Sequence, residues 1–88
     1  MAVLVRHRPQ GLTSADYDRT SPPLVEGVKK QPGFVLHVAF EDSDGFCVAE
    51  IWDSQEQHDA WFQENVVPNI PTEIKQESIQ LHAIEWPA

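Results

Sequence analysis

Apolar and polar residues alternate with period two over Ala2–Arg8, where Val3 and Val5 share a face, and this predicts a first strand. Pro9, Gln10 and Gly11 break it. Thr13 or Ser14 can then cap a helix that carries Asp16 in its first turn. Ser21, Pro22 and Pro23 interrupt that helix, because a proline inside it removes a hydrogen-bond donor. Leu24, Val25 and Val28 resume helical spacing up to Lys29–Lys30, so residues 13–30 read as one broken or kinked helical region. After the Pro32–Gly33 turn, Phe34–Glu41 and Phe46–Asp53 form two apolar runs joined by Asp42-Ser43-Asp44-Gly45, a hairpin signal. Ser54 as N-cap and Gln57 three residues on make a capping-box pattern for a helix from Gln55 to about Val67, which Pro68 ends. Pro71–Gln76 reads as a short helical turn and Ser78–Trp86 as the last strand.

The resulting β–α–β–β–α–β order is that of an α+β, ferredoxin-like domain: a four-stranded antiparallel sheet with the helices on one face. The alternation also describes the other face. Phe34, Leu36, Val38 and Phe40 fall on one side of the second strand, with Val35 and Ala39 opposite. Phe46, Val48 and Trp52 of the third strand oppose Cys47, Ala49 and Ile51. Both faces are therefore substantially apolar, although an antiparallel sheet with one solvated face shows polar residues there. The uncovered face calls for a partner, and a second copy is the simplest one, so a homodimer stacked sheet to sheet is expected.

Eighty-eight residues supply one core, hence a single domain over residues 1–88. A formal net charge of −8, with only six basic residues and no run beyond Lys29–Lys30, argues against nucleic-acid partners and against anionic membranes. The single cysteine, Cys47, excludes an intrachain disulfide and paired-thiolate metal sites. The short apolar run after Met1, interrupted by Arg6 and Arg8, is neither a signal peptide nor a membrane span, so a cytoplasmic location is expected.

The segment GFVLHVAFEDSDGFCVAEIWDSQEQHDAWF, with its hairpin ending in Glu-Ile-Trp-Asp-Ser and passing into a Gln/Glu/His-rich helix start, resembles the antibiotic biosynthesis monooxygenase-like family. The order of elements and the length match along essentially the whole chain. The resemblance implies a ferredoxin-like protomer, a homodimeric α/β barrel, and a cavity between sheet and helices. It further implies oxygenation of a small, quinol-like aromatic compound without metal or flavin. Quinol-oxygenating members often carry histidines on the second helix, where this chain has Trp61 and Asn65, with His58 preceding them. A related branch degrades haem. It resembles this chain at Trp61, with His7 where that branch has asparagine, but Ile70 and Pro71 occupy the position of its haem-ligating histidine.

The chemistry-bearing residues gather at the junction of the third strand and the second helix. His58, His37 and Asn65 are the candidates for proton handling or substrate orientation; Trp61, Phe62 and Trp52 are the candidate walls of a ligand site. Trp52 and Trp86 also read as packing residues, and His37 also as a structural histidine in an apolar strand. His7, His37 and His82 are placed on strands, and none of the four histidines shows the tight local spacing of a ligand pair, so no metal site and no cofactor is expected. Glu50, isolated in an apolar strand, calls for an ion pair with Arg6 or Arg8, or else is a general base of raised pKa. The competing reading of the whole chain is a non-catalytic binding or dimerisation module of the same fold.

Overall fold

Val3, Val5, His7 and Pro9 are buried on alternate positions of β1 (Val3–Pro9), while Leu4, Arg6 and Arg8 between them are only half-buried. This alternation fixes which face of the sheet the helices cover. The computed structural model describes residues 1–70 and 73–85. Its elements continue with α1 (Ser14–Thr20), α2 (Pro22–Val28), β2 (Phe34–Asp42), β3 (Gly45–Trp52), α3 (Gln55–Trp61) and β4 (Ile74–Gln80). The strands form one antiparallel sheet in the order β2-β3-β1-β4, the ferredoxin-like arrangement the sequence predicts.

The first helical region is broken where Ser21 ends α1 and Pro22 starts α2, since proline is tolerated at a first helical position. Thr13 and Asp16 cap α1 reciprocally. At α3 the Ser54 hydroxyl accepts the Gln57 backbone N–H and donates to the Gln57 side chain. A π-helical turn, Phe62–Val66, and a 3-10 turn, Val67–Asn69, extend α3, so Pro68 sits inside the last turn rather than beyond it. The core joins Val3, Val5 and Trp52 of the sheet to Val28 of α2 and Trp61 of α3, with Leu24, Phe34 and Val66 packed around them.

Three expectations are corrected. A bulge between Phe34 and Leu36 turns Phe34 to the helix side, where it meets Trp52 edge-on at 5.5 Å, instead of sharing a face with Leu36. The last strand is Ile74–Gln80, and Ile74–Gln76 are strand rather than helical turn. This edge strand is polar and lacks alternation, so pairing with β1 from Val3↔Gln80 to Pro9↔Ile74 sets its limits. His82 consequently lies beyond the strand. Pro71 and Trp86 fall outside the described residues.

The face away from the helices carries Leu36 (46% exposed), Val38 (43%) and Phe40 (39%) on β2 and Ile79 (40%) on the opposite edge, joined across the sheet by the half-buried Ile51 and Leu4. Arg8–Asp42 and Arg6–Glu77 ion pairs flank it. No helix among the described residues is long and apolar enough to cross a membrane.

Gly33 has φ +86°, and a Cβ there would fall on the Gln57 side chain. Gly33→Ala is expected to destabilise the chain by about 1–3 kcal/mol through backbone strain and a displaced helix cap. Urea unfolding should show a lowered midpoint at unchanged slope.

Candidate functional site

Between sheet and helices lies a cavity of about 630 Å³, the size of a small-ligand site. Apolar side chains of α2 and of the π turn, Phe62 among them, form much of its wall together with Trp61 at the end of α3. Trp61 is seated by the approach of α2: a Cβ on Gly27 would stand 2.9 Å from the indole Cη2. Among the polar side chains that line this cavity, His7 of β1, Tyr17 of α1, His37 of β2 and Glu50 of β3 are hydrogen-bonded to a neighbouring aromatic or acidic group. Strand pairing explains the meeting of the three strand residues, because His37 is the direct cross-strand partner of Glu50, and Glu50 of Val5 two residues from His7.

These side chains form two hydrogen-bonded chains. In the first, Glu50 Oε2 lies 2.7 Å from His37 Nδ1, Glu50 Oε1 accepts the Trp52 indole N–H at 3.0 Å, and Tyr17 Oη lies 2.6 Å from His37 Nε2. Burial alone pushes the Glu50 carboxyl up, but the bonds from His37 and Trp52 outweigh it and hold the group below the ordinary carboxylate range. An ionised Glu50 makes Nδ1 of His37 the donor, so in the neutral ring Nε2 is an acceptor for the Tyr17 O–H. Burial raises the Tyr17 phenol above its usual value.

In the second chain, His7 Nε2 lies 2.9 Å from His58 Nε2, and His58 Nδ1 lies 2.8 Å from Asp59 Oδ1. His7 is stacked on Phe62 with ring centroids 4.7 Å apart, and the Trp52 edge meets the His58 ring at 5.9 Å. Burial lowers the His7 pKa to about 4, against the opposing pull of Glu50. His7 is therefore a neutral imidazole at physiological pH.

The structure separates the predicted site residues. His37, Trp61 and Phe62 line the cavity. His58 is fully buried behind His7, and Trp52 is fully buried with its N–H turned to Glu50. Asn65 lies away from the cavity: its amide donates to the Trp61 carbonyl at 3.2 Å, and it borders a separate depression with Gln31 and Pro32. The expected pairing of Glu50 with Arg6 or Arg8 does not form, because both arginines point to the opposite face and pair with Glu77 and Asp42. The lowered pKa of Glu50 also removes it as a base of raised pKa. Tyr17 was legible only as the single tyrosine of the chain. The approach of His7 to His58, 51 positions apart, left no local signal. His7, Glu50 and His58 nevertheless present one ligand atom each within 4.8 Å of one another, all three buried.

The family described as antibiotic biosynthesis monooxygenase matches residues 3–67. No curated protein sequence matches the chain. Among solved structures, the cofactor-independent oxygenase SnoaB from Streptomyces nogalater is 11% identical with a TM-score of 0.66, the match covering 99% of this chain and 97% of that one. A heme-degrading protein from Mycobacterium tuberculosis is 17% identical with a TM-score of 0.62, over 94% of this chain and 96% of the other. A putative antibiotic biosynthesis monooxygenase from Deinococcus radiodurans is 12% identical with a TM-score of 0.62, over 96% and 95% respectively. At these identities the likeness establishes a shared fold.

Proposed function

The chain belongs to the antibiotic biosynthesis monooxygenase family, and from that premise we propose that it works as a homodimer that oxygenates a small, flat, quinol-like aromatic compound in the cavity between sheet and helices. The observation that carries this reading is the cavity itself, open to a ligand, walled by Trp61 and Phe62, and supplied with a hydrogen-bonded Tyr17–His37–Glu50 chain. A purely structural module would have this space filled by the aromatic side chains.

His37 is the proton acceptor in this scheme. Glu50, ionised and fixed by Trp52, orients the imidazole and stabilises its protonated form; Nε2 takes the Tyr17 hydroxyl proton as the Tyr17 oxygen takes one from the substrate, so the substrate proton is passed to His37 through Tyr17. The deprotonated aromatic then reduces dioxygen itself. The substrate loses two hydrogens and gains one oxygen atom, and the second oxygen leaves as water with those hydrogens, so no outside reductant enters. The apolar walls keep water from the electron-rich anion.

Oxygen uptake by chelator-treated protein with 1,4-naphthohydroquinone and an anthrone as probes tests this. Turnover above the uncatalysed oxidation is expected, and His37→Gln should lower it by about 10²–10⁴-fold while probe binding, read by tryptophan fluorescence, persists. Binding without any uptake by the wild-type protein would support the non-catalytic module instead.

A further inference from the structure

Glu50 is a buried carboxylate whose two oxygens meet His37 Nδ1 and the Trp52 N–H, and no lysine or arginine among the described residues pairs with it. Beside it stand two buried imidazoles whose Nε2 atoms face each other at 2.9 Å. One proton can lie between those nitrogens, so one ring must donate and the other accept. A cation in place of that shared proton can be bound by both nitrogens and the neighbouring carboxylate at once. We infer that His7, His58 and Glu50 form a binding site for a divalent first-row transition ion, of the zinc or iron(II) class.

The donor set is two imidazoles and one carboxylate, a combination suited to such ions and unsuited to calcium or magnesium, which prefer all-oxygen shells. The spacing fits as well. Two nitrogens bound about 2.1 Å from one ion at right angles stand about 3 Å apart, and His7 and His58 present theirs at 2.9 Å. The three ligand atoms already lie within 4.8 Å of one another, so closing the set needs side-chain movement on the order of an ångström. The outer shell is also in place. His58 Nδ1 meets the Asp59 carboxylate at 2.8 Å, the arrangement that orients a metal-bound histidine, and Gln55 in turn donates to that same carboxylate oxygen at 2.8 Å. His37 and the Trp52 N–H each hold one oxygen of Glu50. His7 and Glu50 line the cavity whereas His58 closes the back, so the remaining coordination positions face the cavity. This site goes beyond the oxygenase reading and stands or falls without it.

The test is titration of chelator-treated full-length protein with Co²⁺, followed by its displacement with Zn²⁺. One ion per chain, visible d–d absorption and a Kd in the micromolar range or tighter are expected. Zinc should move the Nε2 ¹⁵N resonances of His7 and His58 in the wild-type protein, a readout that needs no variant. His7→Gln and His58→Gln, checked for folding by circular dichroism, should each weaken binding by at least tenfold to a hundredfold, and His82→Ala should not. Absence of saturable binding up to millimolar metal, or binding that leaves the His7 and His58 resonances unmoved, overturns the site.

Discussion

Trp52→Ala is expected to remove about 3–5 kcal/mol of stability, since Trp52 is the largest fully buried side chain among the described residues. A domain of this length has roughly 4–13 kcal/mol in total, so the variant should be largely unfolded or molten at physiological temperature. Trp52 is completely buried, packs edge-on against Phe34 and His58, and belongs to the core cluster that joins β1, β3, α2 and α3. Truncating it leaves a cavity at the one place where all these elements meet. Trp52→Phe isolates a second contribution, because it keeps a ring but deletes the indole donor to Glu50 Oε1. Leaving that buried acceptor short of a partner is expected to cost about 1–3 kcal/mol. Urea denaturation followed by far- and near-ultraviolet circular dichroism separates the two, and an unchanged midpoint for Trp52→Ala would place the core elsewhere.

The same tryptophan shows what the sequence conveys and what it withholds. Its burial was readable, since it closes an apolar strand just before a capped helix, and the Ser54 cap forms as the pattern predicts. The hairpin at Asp42–Gly45 and the break at Ser21–Pro22 were legible for the same reason: local chemistry decides them. The polar edge strand β4 is not legible in this way, because it has no alternation of its own and takes its limits from β1. The functional cluster lies at the far end of this scale. His7 meets His58 only because β1 sits inside the sheet next to β3 and beneath α3, and His37 meets Glu50 only through the register of β2 on β3. Register is a property of pairs of strands, so residues far apart in the chain carried the chemistry without any motif between them. The π turn at Phe62–Val66, which follows α3 where Phe62 meets His7, likewise had no sequence signal.

Val38→Asp is expected to convert the proposed homodimer into a folded monomer. Val38 lies mid-strand on β2 between Leu36 and Phe40, on the face that the helices leave uncovered, and it is 43% exposed in the single chain. A two-fold interface on this face presents the same patch from both protomers, so one substitution places two carboxylates in the apolar contact. Desolvating them without partners costs several kcal/mol. A loss of ~4 kcal/mol corresponds to a dimer dissociation constant raised about 10³-fold, readable by sedimentation velocity over a range of concentrations. The fold itself should survive, because the side chain points away from the core of Val3, Val5, Val28, Trp52 and Trp61. Val67→Asp, equally exposed but on the helical side, serves as the control and should leave the dimer intact. A wild-type chain that sediments as a monomer at micromolar concentration, or a Val38→Asp variant that stays dimeric, would show that the apolar sheet face does not join two copies.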